Sequence, residues 1–195
     1  MKDAISILMS PIKFIIESFL NIRRTHREQN KIKENLWQEL DDLKTSFEMM
    51  LDSLLIEFDQ PVKTTFVKSI DIDWEYINEL QRGLGSNMPF PIRKALKEIK
   101  IFHNVLSSVI DKRNDIARRI NDDGVLLNRQ LTARSILEIS KLLYVIIKLL
   151  ETKENYSRGL ESDVIDIMRS LFKTNTKYQY ISEEKIQAIF YQSAK

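Results

Sequence analysis

Leu36, Leu40, Leu43, Phe47, Met50, Leu54 and Phe58 recur at alternating spacings of three and four, the period that gathers apolar side chains on one stripe of an α-helix. Trp37, Leu51 and Leu55 widen the stripe. It stops at Gln60-Pro61, because proline lacks an amide donor and pushes the residue before it out of helical geometry. The β-branched run from Val62 to Ile72 can be extended. Asp73 then suits the N-cap of a short helix through Trp74, Ile77 and Leu80, ended by Gly83 and a loop from Gly85 to Pro89. Pro91 suits the first position of a long helix, whose buried face reads Ile92, Leu96, Ile99, Phe102, Leu106, Val109, Ile110, Ile116, Ala117 and Ile120. Asn121-Asp122-Asp123-Gly124 is expected to close that helix, and Thr132 to cap the next, which carries Ile136, Leu137, Leu143, Ile146, Ile147 and Leu150.

Both ends of the chain differ in texture from this centre. With Ser10 as N-cap and Pro11 at the first helical position, Ile12, Ile15, Ile16, Phe19 and Ile22 form an amphipathic stripe, followed by the basic residues Arg23, Arg24, His26 and Arg27. Lys13 and Glu17 interrupt the apolar run from Ala4 to Leu20, so it reads neither as a membrane-spanning helix nor as a signal peptide. Past Gly159, one helix is expected on Leu160, Val164, Ile167, Met168 and Leu171, and a last one, capped by Ser182, on Ile186, Ile189 and Phe190. The expected organisation is a segment 1–30 holding the amphipathic helix and basic run, a bundle over 31–155, and a C-terminal helical appendage over 156–195. The fold class is all-α, a helical bundle of five to seven helices.

Composition agrees with helix: 4 Gly and 4 Pro in 195 residues are too few for the turns of an all-β sandwich. Lys plus Arg number 30 against 28 for Asp plus Glu, a formal charge of +2, so any basic surface is local. Without Cys and with 2 His, neither a thiolate nor an imidazole metal site is expected, no cofactor is implied, and a reducing, cytoplasmic setting fits. No Gly-rich phosphate loop or nucleophile elbow is present. Asp41, Asp42, Glu48, Asp52 and Glu57 alternate with the leucine stripe as a solvated face does. Trp37, Trp74 and His103 lie on apolar faces as core residues.

One residue breaks the pattern. At 100° per residue Arg113 falls at the centre of an apolar stripe, between Val109, Ile110 and Ile116. An unpaired guanidinium in a core costs several kcal/mol, so Arg113 must meet a carboxylate, a wet groove or a second protomer. Asn114 and Arg118 are four apart on one edge of the same stripe, and Arg119 adds to the positive charge.

The run Asp111-Lys112-Arg113-Asn114-Asp115-Ile116-Ala117, late in one helix and followed by a second apolar helix, resembles the signature of HEPN domains. That resemblance spans about residues 36–150 and implies an α-helical bundle, often dimeric, from prokaryotic or phage defence and toxin-antitoxin systems. In active members an Arg, commonly followed by Asn, is separated by four to six residues from a His. Two protomers then join these residues into a metal-independent ribonuclease site. Here the positions for that His hold Arg118, Arg119 and Ile120. Arginine stays protonated at physiological pH and is a poor acid or base, although it can hold a phosphate. No catalytic residue is therefore carried over; Arg113, Asn114, Asp115, Arg118 and Arg119 are candidates for RNA or phosphate binding or for a dimer contact.

Two readings follow. The first is a HEPN-like, non-catalytic subunit that pairs with itself, a protein partner or RNA. The alternative is a helical adaptor or regulatory protein whose Ile12, Ile15, Ile16, Phe19, Arg23 and Arg24 dock on a partner or, less favourably given Glu17 and Glu28, on a membrane surface.

Overall fold

No Gly or Pro occurs between Ile12 and Gln60, and nothing in that stretch interrupts a helical hydrogen-bond ladder. In the computed structural model, which describes the backbone of residues 2–60, 67–117, 122–157 and 163–194 and the side chains of 25–60, 67–116, 127–157 and 163–194, this stretch belongs to one helix, α1 (Lys2–Asp59). Ser10 and Pro11 lie inside α1 rather than at its start, and the 1–30 segment joins the bundle without a break. The helix ends where the sequence says it should, with the Gln60 amide bonded back to the carbonyls of Ile56 and Glu57 just before Pro61.

The other helices are α2 (Trp74–Leu84), α3 (Phe90–Ala117), α4 (Asp122–Thr152), α5 (Val164–Thr174) and α6 (Glu183–Ser193), with single 3-10 turns at Gly85–Asn87, Lys153–Asn155 and Thr176–Tyr178. Among the described residues there is no strand. The fold is an all-α bundle. Asp73 caps α2 by accepting from the Tyr76 amide at 2.9 Å, and Ser182 caps α6 by accepting from the Lys185 amide at 3.3 Å. Gly85 follows α2 at φ 51°, ψ −129°, a backbone region open essentially to glycine alone.

Two expected boundaries are corrected. The chain is already helical at Asp122, so Gly124 does not close a helix but lies within α4, and Thr132 is an interior residue rather than a cap. The helix starts earlier because polar residues such as Asp122, Asp123 and Asn128 are tolerated in its first turns. From Ala133 to Leu149 most side chains of α4 are buried, among them Ile136, Ile139, Leu142, Leu143 and Ile146. Such all-round burial marks a central helix, and α4 packs against α1, α3, α5 and α6.

The C-terminal pair is fastened to this centre. Met168, Leu171, Phe172, Tyr178, Ile186 and Ile189 share one hydrophobic cluster with the leucines of α1 and α4. Between α5 and α6, the buried Tyr178 hydroxyl donates to the Glu48 carbonyl at 3.2 Å and the Asn175 amide to the Glu48 carboxylate at 3.1 Å. Lys177–Asp52 and Lys185–Asp59 ion pairs flank that seam, each at 2.6 Å.

Leu54 is fully buried on α1, whereas Met49, on its outer face, is 66% exposed. Leu54→Ala is expected to lower the unfolding free energy by about 2 to 5 kcal/mol, and Met49→Ala to change it by less than about 0.5 kcal/mol. Urea titration followed by circular dichroism measures both; equal effects would contradict this assignment of core and surface.

Candidate functional site: a buried carboxylate–guanidinium cluster

The stripe that holds α3 against the bundle places Arg113 where the sequence puts it, three residues after Ile110 and with none of its surface exposed. Its partner is on α1. Glu57, three residues after Leu54 and 2% exposed, meets the guanidinium with both carboxylate oxygens. Arg113 Nε donates to Glu57 Oε1 at 3.1 Å, and Nη2 donates to Oε2, the two-pronged arrangement that matches a planar guanidinium to a carboxylate. Glu57 therefore departs from the solvated face expected of the acidic residues on α1.

Helix α4 completes the shell. Thr132, 1% exposed, donates its hydroxyl to Glu57 Oε1 at 2.8 Å and accepts from Arg113 Nε at 3.2 Å. Asn128, one turn earlier and 3% exposed, donates to the same oxygen at 3.1 Å. Its own Oδ1 has no hydrogen-bond partner among the described residues. Three helices thus converge on one carboxylate.

Asn114 carries the cluster outward. Its Oδ1 accepts from Arg113 Nη1 at 3.0 Å, and its Nδ2 donates to the Val67 carbonyl at 2.9 Å. The stretch 67–73 has no regular structure, and α3 side chains satisfy several of its polar groups, as an inward-lying segment requires. Ser69 donates to Ser107 at 3.1 Å. His103 lies 2.8 Å from the Ile70 carbonyl through Nε2, and the Trp74 indole N–H points at its Nδ1 at 3.4 Å. Indole is a donor only, so Nδ1 accepts and Nε2 carries the hydrogen given to Ile70. Both ring nitrogens are occupied, which makes His103 the core residue its apolar neighbours suggested.

Chemically, the cluster is closed. Burial pushes the Arg113 guanidinium down to about 10, the direction expected when a cation loses solvent. It stays protonated at neutral pH and neither gives nor takes a proton there. Of the other candidates, Asp115 is exposed, while Arg118 and Arg119 lie outside the described residues, as do the side chains of Ile12, Ile15, Ile16, Phe19, Arg23 and Arg24. Among the described residues no three His, Asp or Glu side chains gather as a metal site, and no helix is long and apolar enough to cross a membrane.

Removing one member of a buried ion pair strands the other, at a cost of about 3 to 5 kcal/mol. Arg113→Ala and Glu57→Ala are each expected to lose that much in urea unfolding, and Arg113→Lys to be destabilised as well because an ammonium cannot span both oxygens. The double replacement Glu57→Met, Arg113→Met should be less destabilised than either alanine variant. Additive losses would show that the two residues do not act as a pair. Comparison of the chain with protein-family models, with curated proteins and with solved structures gives no match.

Proposed function

We propose that this protein is a non-catalytic helical interaction module, a HEPN-like subunit of a prokaryotic or phage defence or toxin-antitoxin type system in which the Arg-Asn pair builds the bundle instead of contacting RNA. The HEPN-like part of this reading rests on the resemblance of residues 111–117 alone; the non-catalytic part rests on one observation, that Arg113 is fully buried and its guanidinium is engaged by Glu57, Thr132 and Asn114. A phosphate reaching it would have to displace a carboxylate from a dry core, at a desolvation cost of several kcal/mol. The absence of a His at 118–120 supports the same conclusion from the side of proton transfer.

The partner-binding element in this reading is the N-terminal part of α1. With 58 residues at ~1.5 Å each, α1 is about 87 Å long, while α3 and α4 are about 42 and 46 Å. Core burial on α1 begins at Leu36 among the described side chains, and Thr25 to Lys31 are exposed except for half-buried Gln29. In this reading the amphipathic sequence Ile12, Ile15, Ile16, Phe19 upstream of that point supplies the apolar stripe that pairs with another protein.

Deletion of residues 1–24 is expected to leave helicity per residue and the urea midpoint of the bundle unchanged while abolishing association, whether with itself in light scattering or with a partner identified by cross-linking to the full chain. Phe19→Asp with Ile15→Asp should reproduce the loss. A deletion that instead lowers the urea midpoint substantially would make the segment core and refute the docking role. Cleavage of single-stranded RNA by the purified protein would refute the non-catalytic assignment.

A further inference from the structure

A different surface lies along the outer line between α3 and α4. Val105 and Val109 on α3 and Leu131 on α4 line a groove of about 280 Å³ whose other walls are Asn104, Ser108, Lys112 and Arg134. The apolar strip extends along both helices by one turn, since Ile101 precedes Val105 and Leu127 precedes Leu131 by four residues. These two residues are 51% and 45% exposed, unusual for large aliphatic side chains that share a strip. Lys112 and Arg134 are exposed, and neither has an ion-pair partner among the described residues. Farther along, the Glu138 carboxylate is already met by Lys141 at 2.9 Å, and Asp115, three residues beyond Lys112, bounds the cationic stretch at its other end.

We infer that this α3/α4 groove is a docking surface for an acidic amphipathic helix of a partner protein. The inference stands apart from the role assigned to the N-terminal part of α1, because it uses other residues. Groove and helix are complementary in shape and charge. An apolar floor running along the line between two helices accepts the i, i+3, i+4 side chains of a third, and two cations that no described carboxylate pairs with favour carboxylates on the flanks of that helix. The distance from Ile101 to Lys112 is about 17 Å at ~1.5 Å per residue, three turns of an occupant. Nucleic acid fits the groove less well. A phosphate backbone is held by several cations and its bases by aromatic platforms, whereas the described residues that line this groove offer two cations, aliphatic side chains and no aromatic ring.

The test uses the full chain and a fluorescent helical peptide of about 16 residues, built from Leu on one face and Glu and Ala elsewhere, with a Lys-for-Glu counterpart as control. Anisotropy titration is expected to show binding of the acidic peptide and much weaker binding of the basic one. The acidic peptide should bind more weakly at higher salt. The double variant Lys112→Glu, Arg134→Glu changes only exposed positions; with its circular dichroism unchanged, it should weaken the acidic peptide by about tenfold or more and strengthen the basic one. Leu131→Asp should weaken both. Equal affinity for the two peptides, or an acidic-peptide affinity unaffected by the charge reversal, overturns the inference. So does a homodimer that the charge reversal dissociates, which would make a second copy the occupant, or a single-stranded oligonucleotide that competes the peptide off while the reversed variant ignores it.

Discussion

A full positive charge in the middle of an apolar helix face is the constraint around which this bundle is arranged. Arg113 cannot be solvated where it sits, so a carboxylate must come to it, and Glu57 from the last turn of α1 does so. The match is directional as well as electrostatic. A planar fork facing two oxygens fixes the approach and rotation of α1 relative to α3, and the single carboxylate oxygen that also takes Thr132 and Asn128 fixes α4 against both. Apolar packing could accept several relative rotations of three leucine-rich helices; this polar centre accepts few. From it, Asn114 reaches Val67 and ties down the connection that follows α1.

The helices were largely legible because their signals are local. A three-and-four apolar spacing, the stop before Pro61, the Asp73 cap and the Ser182 cap each act within one or two turns; in the structure α1 ends at Asp59, and Asp73 and Ser182 cap their helices. Where reading failed, a local signal was outweighed by the chain around it. Ser10-Pro11 has the form of a helix start, yet α1 runs through it. Asn121 to Gly124 has the form of a stop, yet α4 is under way at Asp122, and Thr132, which has the chemistry of a cap, gives its hydroxyl to a buried carboxylate from another helix. A threonine looks the same in sequence whether its oxygen serves its own helix or a neighbour.

Half of the site was equally legible. Arg113 stood out as a charge on an apolar stripe, and the physical choice among a carboxylate, a groove and a second protomer followed from it. The answer did not, because Glu57 lies 56 positions away in sequence among other acidic residues of α1 that do face solvent. Its position three residues after Leu54 was the available sign, and one edge position on a broad stripe is a weak one. The consequence for function is direct. A residue pair that resembles part of a ribonuclease motif is engaged inside the fold by Glu57, Thr132 and Val67, which turns attention from the motif to the surfaces: the N-terminal part of α1 and the α3/α4 groove.

Burial of Arg113 is the claim on which this account rests, and an arginine-selective dicarbonyl reagent reads it directly. With the folded protein treated with phenylglyoxal and digested for mass spectrometry, the exposed Arg82, Arg93 and Arg134 should be modified while Arg113 stays unmodified until denaturant is added. Modification of Arg113 in the folded protein at a rate comparable to Arg134 would contradict the account and return that guanidinium to the list of groups free to meet a phosphate.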